Sequence, residues 1–286
     1  MGRILVTGAS GNVGKYVTHY AIANKQEVTV AGTSVEKLST LFGDTARIVR
    51  FDFADPATFS QALEDVDRIF IMRPPHLGKL EDLKPFIDAV DPKKIKLVSF
   101  LSLIGIEHNP IPPHYKIEKY IEQANLPYCH IRPSFFMQNI SGIHAFEIKH
   151  FNRIVVPVKK ALTSFIDTED IGEFTAKVLS EPEKHQNSAY SITGPEAIDY
   201  WRVAEILSKQ LNREIVYTNP KPAFTKKYWI KVRGLEKKYS TIMSMLYLMT
   251  RLGTAKRVTS VFKQVMGKEP QTFEQFAEKN NMYWKQ

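Results

Sequence analysis

Residues 4–14 read Ile-Leu-Val-Thr-Gly-Ala-Ser-Gly-Asn-Val-Gly, and this run limits the possible folds more than any other stretch. Ile4, Leu5 and Val6 make a short apolar run of the kind that forms a parallel strand buried on both faces. Glycines follow at Gly8, Gly11 and Gly14, and Lys15–Ala23 continues as a helix. Strand, glycine turn and helix in that order present free N–H groups and the positive end of the helix macrodipole to an anion. Gly8 would permit the tight turn, Gly11 the approach of backbone to a phosphate, and Gly14 close contact of helix and sheet. Ser10, Asn12 and Val13 complete the loop, so all six residues are candidates for holding a dinucleotide. The spacing is GxxGxxG rather than GxGxxG, and its weight comes from standing directly after a strand.

Strand-like runs recur near 3–7, 27–31, 47–51, 67–72, 95–101 and 127–131, and helix-like runs near 12–24, 35–42, 56–64, 79–90 and 113–125. This alternation predicts an α/β fold with a Rossmann-type, doubly wound parallel sheet and ligand at the carboxyl ends of the strands. After Arg132-Pro133 the alternation weakens. The expected division is a dinucleotide-binding domain over 1–155 and a smaller, mostly helical C-terminal lobe over 196–286. Residues 165–195 are expected to return to the first domain, with Phe165-Ile166-Asp167 opening that return, a helix near 169–180 and a strand at 189–193. The lobe should hold helices near 199–211, 222–232, 239–251, 255–266 and 271–280. Met243, Met245, Leu246, Leu248 and Met249 form a methionine-rich stretch read first as core packing, and otherwise as an adaptable wall over a substrate.

An apolar fraction of 43% and a charged fraction of 24% are those of a soluble globular protein. No apolar run approaches the ~20 residues that span a bilayer, and no signal peptide precedes the first strand. These features predict a cytoplasmic protein with no membrane partner. A single cysteine, Cys129, excludes an internal disulfide and a multi-cysteine metal site, and no metal is expected. The formal charge of +9 is concentrated: Lys221 to Gln286 hold 14 Lys and Arg against 4 Glu, so the preceding residues sum to −1. Such a region could meet nucleic acid, acidic lipid or an anionic substrate. Its lysines are interleaved with apolar residues as on solvated amphipathic helices, and nucleic-acid binding is not expected.

Further motifs occur in order: Phe51-Asp52, Ser102-Leu-Ile-Gly105, His114-Tyr-Lys-Ile-Glu118, Leu126-Pro-Tyr128 with Arg132-Pro133, Phe136-Met-Gln-Asn139, Asp167-Thr-Glu-Asp170 and Thr193-Gly-Pro-Glu-Ala197. With the glycine loop they resemble the NmrA-like branch of the atypical short-chain dehydrogenase/reductase superfamily, from residue 1 to about 280. That branch includes NAD(P)H:quinone reductases, dye reductases, isoflavone-type reductases and cofactor-binding regulators without activity. The resemblance implies a nicotinamide dinucleotide and an NAD(P)H-dependent oxidoreductase that passes hydride to a flat conjugated acceptor such as a quinone or dye. The alternative it implies is a redox-sensing regulator that binds dinucleotide without turnover. Partners would be the dinucleotide, a small-molecule acceptor, and a second copy or another protein.

The end of the second strand selects the cofactor in such folds: an acid takes the ribose 2′-hydroxyl and an arginine accommodates a 2′-phosphate. Here Thr33 stands where many NADPH-using relatives carry arginine, and no acid stands at the strand end. Thr33 and Ser34 can hydrogen-bond a phosphate and Lys37 can supply charge, so NADP(H) is favoured over NAD(H). The resemblance assigns Asp52 to the adenine amino group. Arg73, in Met72-Arg73-Pro74-Pro75 after the fourth strand, should run beside the cofactor.

Tyr115-x-x-x-Lys119 imitates the proton-donor pair of short-chain dehydrogenases, but the family register places His114 at the lysine position and Pro110 at the tyrosine position. His114 is therefore the catalytic candidate, with an imidazole able to transfer a proton near neutrality. Ser102 stands where the superfamily serine polarises a carbonyl. Phe136 and Asn139 fall where the substrate cleft should be.

Overall fold

Ile4, Leu5 and Val6 are fully buried in β1 (Arg3–Thr7), as a central parallel strand requires. The computed structural model describes residues 2–285. From β1 the chain passes through α1 (Gly14–Ala23), β2 (Val28–Gly32), α2 (Val35–Phe42), β3 (Arg47–Arg50), α3 (Phe59–Leu63), β4 (Val66–Ile71), α4 (Lys84–Asp88), β5 (Leu97–Leu101), α5 (Pro113–Gln123) and β6 (Tyr128–Pro133). It continues through β7 (Phe135–Phe136), α6 (Gln138–Ser141), α7 (Ala145–Phe151), β8 (Arg153–Ile154), β9 (Thr163–Ile166), α8 (Thr168–Ser180), β10 (Ser188–Ile192), β11 (Ala197–Ile198), α9 (Tyr200–Leu211) and β12 (Val216–Tyr217). Four helices follow: α10 (Pro222–Lys231), α11 (Lys237–Arg251), α12 (Val261–Met266) and α13 (Phe273–Lys279).

Two units result. The first takes the chain up to Pro133, Thr168–Ile192 and Val261–Gly267. Its sheet has the order β10-β6-β5-β4-β1-β2-β3, and every neighbouring pair is parallel. The winding reverses between β1 and β4, and the carboxyl ends of that pair mark the switch point where doubly wound sheets bind ligands. Thr7 ties the two ends together: its Oγ1 donates to Phe70 O at 3.0 Å and accepts from Met72 N–H at 3.0 Å. On one face the sheet buries Leu5, Ile69, Ile71 and Phe100 with Phe86, Ile117 and Ile121. Close packing of α1 on α8 depends on Gly172, where a Cβ would stand 2.3 Å from Tyr16 Cβ.

The second unit takes Ser134–Asp167, Thr193–Ser260 and the chain from Lys268 onward. It holds a three-stranded sheet, β11-β9-β7, and a parallel pair, β12-β8. Its core gathers Trp229, Tyr247, Phe273, Phe276 and Trp284 around Met137, Phe165 and Tyr200.

Several expectations are corrected. The chain leaves the first unit after Pro133 rather than near 155, and Phe165-Ile166 is not the start of the return. It lies in β9, which pairs with β7 and β11, and the return begins at Thr168. Only Val261–Met266 of the helix expected at 255–266 forms, and α12 packs in the first unit against α8 and β10. The preceding residues cannot coil because Ala255 O accepts from Ser164 N–H at 2.8 Å and Thr259 N–H donates to Thr193 Oγ1 at 3.0 Å. Of the methionine-rich stretch only Met243 enters the core. Met245, Leu246, Leu248 and Met249 face outward. Cys129 is a buried core thiol, pushed by that burial up to about 12.

Candidate functional site

The glycine loop leaves the carboxyl end of β1 and enters α1. Gly8 adopts φ +62°, the left-handed region that suits glycine. A Cβ there would lie 2.3 Å from Met72 Cε. At Gly11 a Cβ would stand 3.1 Å from both Gly8 O and Met72 Cε, and Gly11 N–H donates to Gly8 O at 2.9 Å. At Gly14 a Cβ would lie 2.3 Å from Gly8 O and 2.9 Å from Ala9 Cα. The third glycine thus serves the closure of the loop on itself, not helix–sheet contact as its position suggests. Val13 is the N-cap of α1, and no side chain caps that end among the described residues. Its own side chain is in the core, so Val13 can offer only its N–H. Ser10 is half-buried and Asn12 exposed at the loop tip. A cradle too tight for Cβ atoms, ending at an uncapped helix N-terminus, fits a pyrophosphate.

Thr33 and Lys37 are exposed after β2, the strand that pairs with β1. Ser34 caps α2 by accepting from Lys37 N–H at 3.3 Å. Asp52 follows β3, and its Oδ1 accepts from Ala54 N–H at 2.9 Å. This bond ties that carboxylate oxygen to its own loop.

Beyond β4, Arg73 Nε donates to His114 Nε2 at 3.5 Å, while its Nη1 donates to the carbonyls of Pro74 and Leu77. His114 is the second residue of α5, after Pro113, and its ring lies 6.0 Å from that of Phe100. Burial first, and the Arg73 guanidinium second, lower its pKa to about 3. The imidazole is therefore neutral at physiological pH, which corrects the expectation of proton transfer near neutrality. Its Nδ1 is buried without a hydrogen-bond partner among the described residues.

Ser102, immediately after β5, is likewise buried with an unpartnered Oγ, while its N–H donates to Ile131 O at 2.7 Å. Among the described residues no hydrogen bond joins Ser102 to His114. Lys119 Nζ is held at the surface by Glu122 Oε2 at 2.7 Å, so the Tyr115/Lys119 spacing is a coincidence of the helix face. Phe136 and Asn139 are half-buried in β7 and α6 of the second unit, with Phe136 in register with Ile166. Thr7 and Met72 escape sequence reasoning, although a hydroxyl directly before the first glycine is a readable signal.

A sequence profile of the NmrA-like family matches residues 1–277. The chain belongs to the NmrA-like family. Among similar proteins, prestalk A differentiation protein A of Dictyostelium discoideum is 33% identical over 279 residues, covering 96% of this chain and 91% of that protein. The structure of Citrobacter sp. triphenylmethane reductase complexed with NADP(H) matches with a TM-score of 0.85 at 20% identity, over 95% of this chain and 98% of that one. The NADPH-dependent quinone oxidoreductase of Escherichia coli, complexed with NADPH, matches with a TM-score of 0.87 at 18% identity, over 96% and 99% of the two chains. At that identity the structural likeness establishes the shared Rossmann-like fold.

Proposed function

We propose that this NmrA-like protein is a reductase that passes hydride from NADPH, in preference to NADH, to a flat conjugated acceptor such as a quinone or dye. The observation that carries this reading is the Gly8–Gly14 cradle at the switch point of the sheet, closed to side chains and open at the N-terminus of α1. Its N–H groups would hold the pyrophosphate. Thr33, Ser34 and Lys37 would meet a 2′-phosphate, and Asp52 would meet the adenine. The bound nicotinamide would supply the hydride. Burial, with Arg73 second, keeps His114 a neutral imidazole, suited to orienting a carbonyl through one hydrogen bond. The buried Ser102 hydroxyl is a second donor of that kind. Such a set is weak for ketone reduction, which needs a proton at a localised alkoxide. It suffices where the electron pair is delocalised and alignment of donor with acceptor provides most of the rate. The reductase names of the two structural neighbours agree with this chemistry.

A regulator that binds dinucleotide without turnover is the second reading, favoured by the name of the Dictyostelium relative and by Lys119 being engaged on the surface. Fluorescence titration with NADPH and NADH, followed by a panel of quinones in the same cuvette, separates the two. Tight NADPH binding with rapid loss of reduced cofactor is expected. Tight binding with a stable reduced cofactor on every acceptor would select the regulator.

A further inference from the structure

Helix α11 is turned inside out. The residues it buries are Ser240, Met243, Tyr247 and Thr250, three of which carry a hydroxyl. The residues it exposes are Tyr239, Ile242, Met245, Leu246, Leu248, Met249 and, just past its end, Leu252, each between 40% and 70% accessible. Ile242, Met245, Leu246 and Met249 recur at i, i+3, i+4 and i+7, so they form one continuous stripe that Tyr239 and Leu252 extend at either end. Large apolar stripes of this kind on a protein surface mark a contact with something else.

The charge around the stripe identifies the contact. From Lys221 to Arg257 the chain has ten Lys and Arg and one acid, Glu236, a net +9 equal to the formal charge of the whole protein. Arg233 is committed to the buried Glu147, and Arg251 donates to Pro157 O at 3.1 Å. Lys221, Lys227, Lys231, Lys237, Lys238 and Lys256 are exposed, and none of the six has an acidic partner within salt-bridge distance among the described residues.

We propose that the α10–α11 hairpin docks on an anionic lipid bilayer, with the α11 stripe in the acyl boundary and the lysines at the headgroups. A second copy of the chain would bring a net +9 against a net +9. A protein partner is a poorer match because lysine is depleted from protein interfaces, whereas at a bilayer its long stem lies along apolar surface and its ammonium reaches a phosphate. Phe224 and Val232 of the same hairpin are also exposed and add apolar surface. With 15 residues and charges at both ends, α11 is too short and too polar to cross the membrane, and no helix of the described residues is long and apolar enough to do so. The lack of a spanning stretch, on which the expectation of no membrane partner rests, does not bear on a helix lying in the interface plane.

Flotation of the full chain with vesicles tests this. Vesicles of phosphatidylcholine with phosphatidylglycerol should carry about tenfold more protein than phosphatidylcholine alone at low salt, and that advantage should fall several-fold on moving to molar salt. A Met245→Glu/Leu246→Glu protein should keep the melting temperature of the parent, because both positions are exposed, and lose flotation. Lys237→Gln/Lys238→Gln should weaken flotation while leaving the apolar stripe intact. Failure of the parent to float with anionic vesicles, or equal flotation of the Glu variant, would overturn the proposal. So would a dimer that dissociates in the Glu variant while the parent ignores vesicles, which would assign the stripe to a second copy. Capture of an acidic protein without vesicle binding would overturn it likewise.

Discussion

Arg73 points its Nε at His114 Nε2 across 3.5 Å, and this contact decides which proton the imidazole can offer. A ring nitrogen that faces an N–H donor is the acceptor, so the proton sits on Nδ1. That atom is buried and unpartnered among the described residues. With a pKa of about 3 the ring does not gain a second proton in the working range.

His114→Ala should therefore lower quinone turnover by about tenfold or less, the cost of one neutral hydrogen bond. Loss of a general acid would cost ~10²–10⁴-fold. Turnover of the parent should show no inflection near pH 6.5 that the variant lacks. Steady-state oxidation of NADPH between pH 5.5 and 8.5 checks both statements. A loss of a hundredfold or more, with an inflection that disappears, would mean that His114 transfers a proton.

The glycine loop gives a graded prediction. At Gly14 the obstacle is backbone, Gly8 O at 2.3 Å and Gly8 C at 2.8 Å, so a methyl group must displace the loop. At Gly8 the obstacle is the flexible end of Met72, with a left-handed φ as the remaining strain. At Gly11 the contacts are 3.1 Å and a small shift relieves them. NADPH affinity should fall by about tenfold or more in Gly14→Ala, less in Gly8→Ala and least in Gly11→Ala. Fluorescence titration orders them. Parental affinity in Gly14→Ala would remove the loop from the cofactor site.

Strands β1 to β6 lie within two residues of the runs read from sequence. Parallel strands covered on both faces write themselves as apolar blocks, and helices between them leave a second period. The placement of Phe165-Ile166 is not local information: the four residues of β9 suit either unit, and pairing with β7 and β11 decides. For α11, periodicity reports that apolar stripes exist but not which one is covered, so Met245 and Met249 read as core. The neutral state of His114 depends on burial and on an arginine 41 positions away, neither of which has a sequence signature. The strand–glycine–helix loop was thus legible, and the electrostatics of the residues after β4 and at the start of α5 was not.

In the proposed reading, the charge that would favour NADPH over NADH comes from Lys37. It stands in the first turn of α2 beside the Ser34 cap, exposed to solvent, with Glu36 next to it. A solvent-exposed ammonium near a phosphate contributes ~1 kcal/mol or less, so Lys37→Ala should weaken NADPH binding about three- to fivefold. NADH, which lacks the 2′-phosphate, should bind the variant as it binds the parent. Parallel titrations measure the ratio. An equal loss for both dinucleotides would place Lys37 elsewhere than at the 2′-phosphate.

Four histidines whose pKa burial lowers, His114, His130, His144 and His185, weaken the fold in acid. Burial lowers His114 to about 3, His130 to about 4 and His144 to about 3, with Arg73 adding to the first and Arg233 to the last, while Glu122 opposes the shift at His130. In the unfolded chain each returns to an ordinary value near 6.5. Between that value and the folded one the unfolded state binds protons that the native state refuses, so stability rises with pH across this window. It is fully present above about pH 6.5 and is lost as the pH falls, by up to ~1.4 kcal/mol per pH unit for each histidine. Most carboxylates protonate lower, Glu196 with a pKa raised by burial being the exception, so the interval from pH 6.5 to 5 reports chiefly the imidazoles. The melting temperature should fall steadily over that interval and be nearly flat from pH 7 to 8.5. His144, fully buried with Nε2 against the Tyr247 hydroxyl, is the group to vary. His144→Gln should lower stability at pH 8, by leaving that site imperfectly filled, yet reduce proton uptake on unfolding at pH 5.5 by nearly one. Calorimetry in buffers of different ionisation enthalpy counts those protons. An unchanged count would show that His144 is not the group that resists protonation in the folded protein.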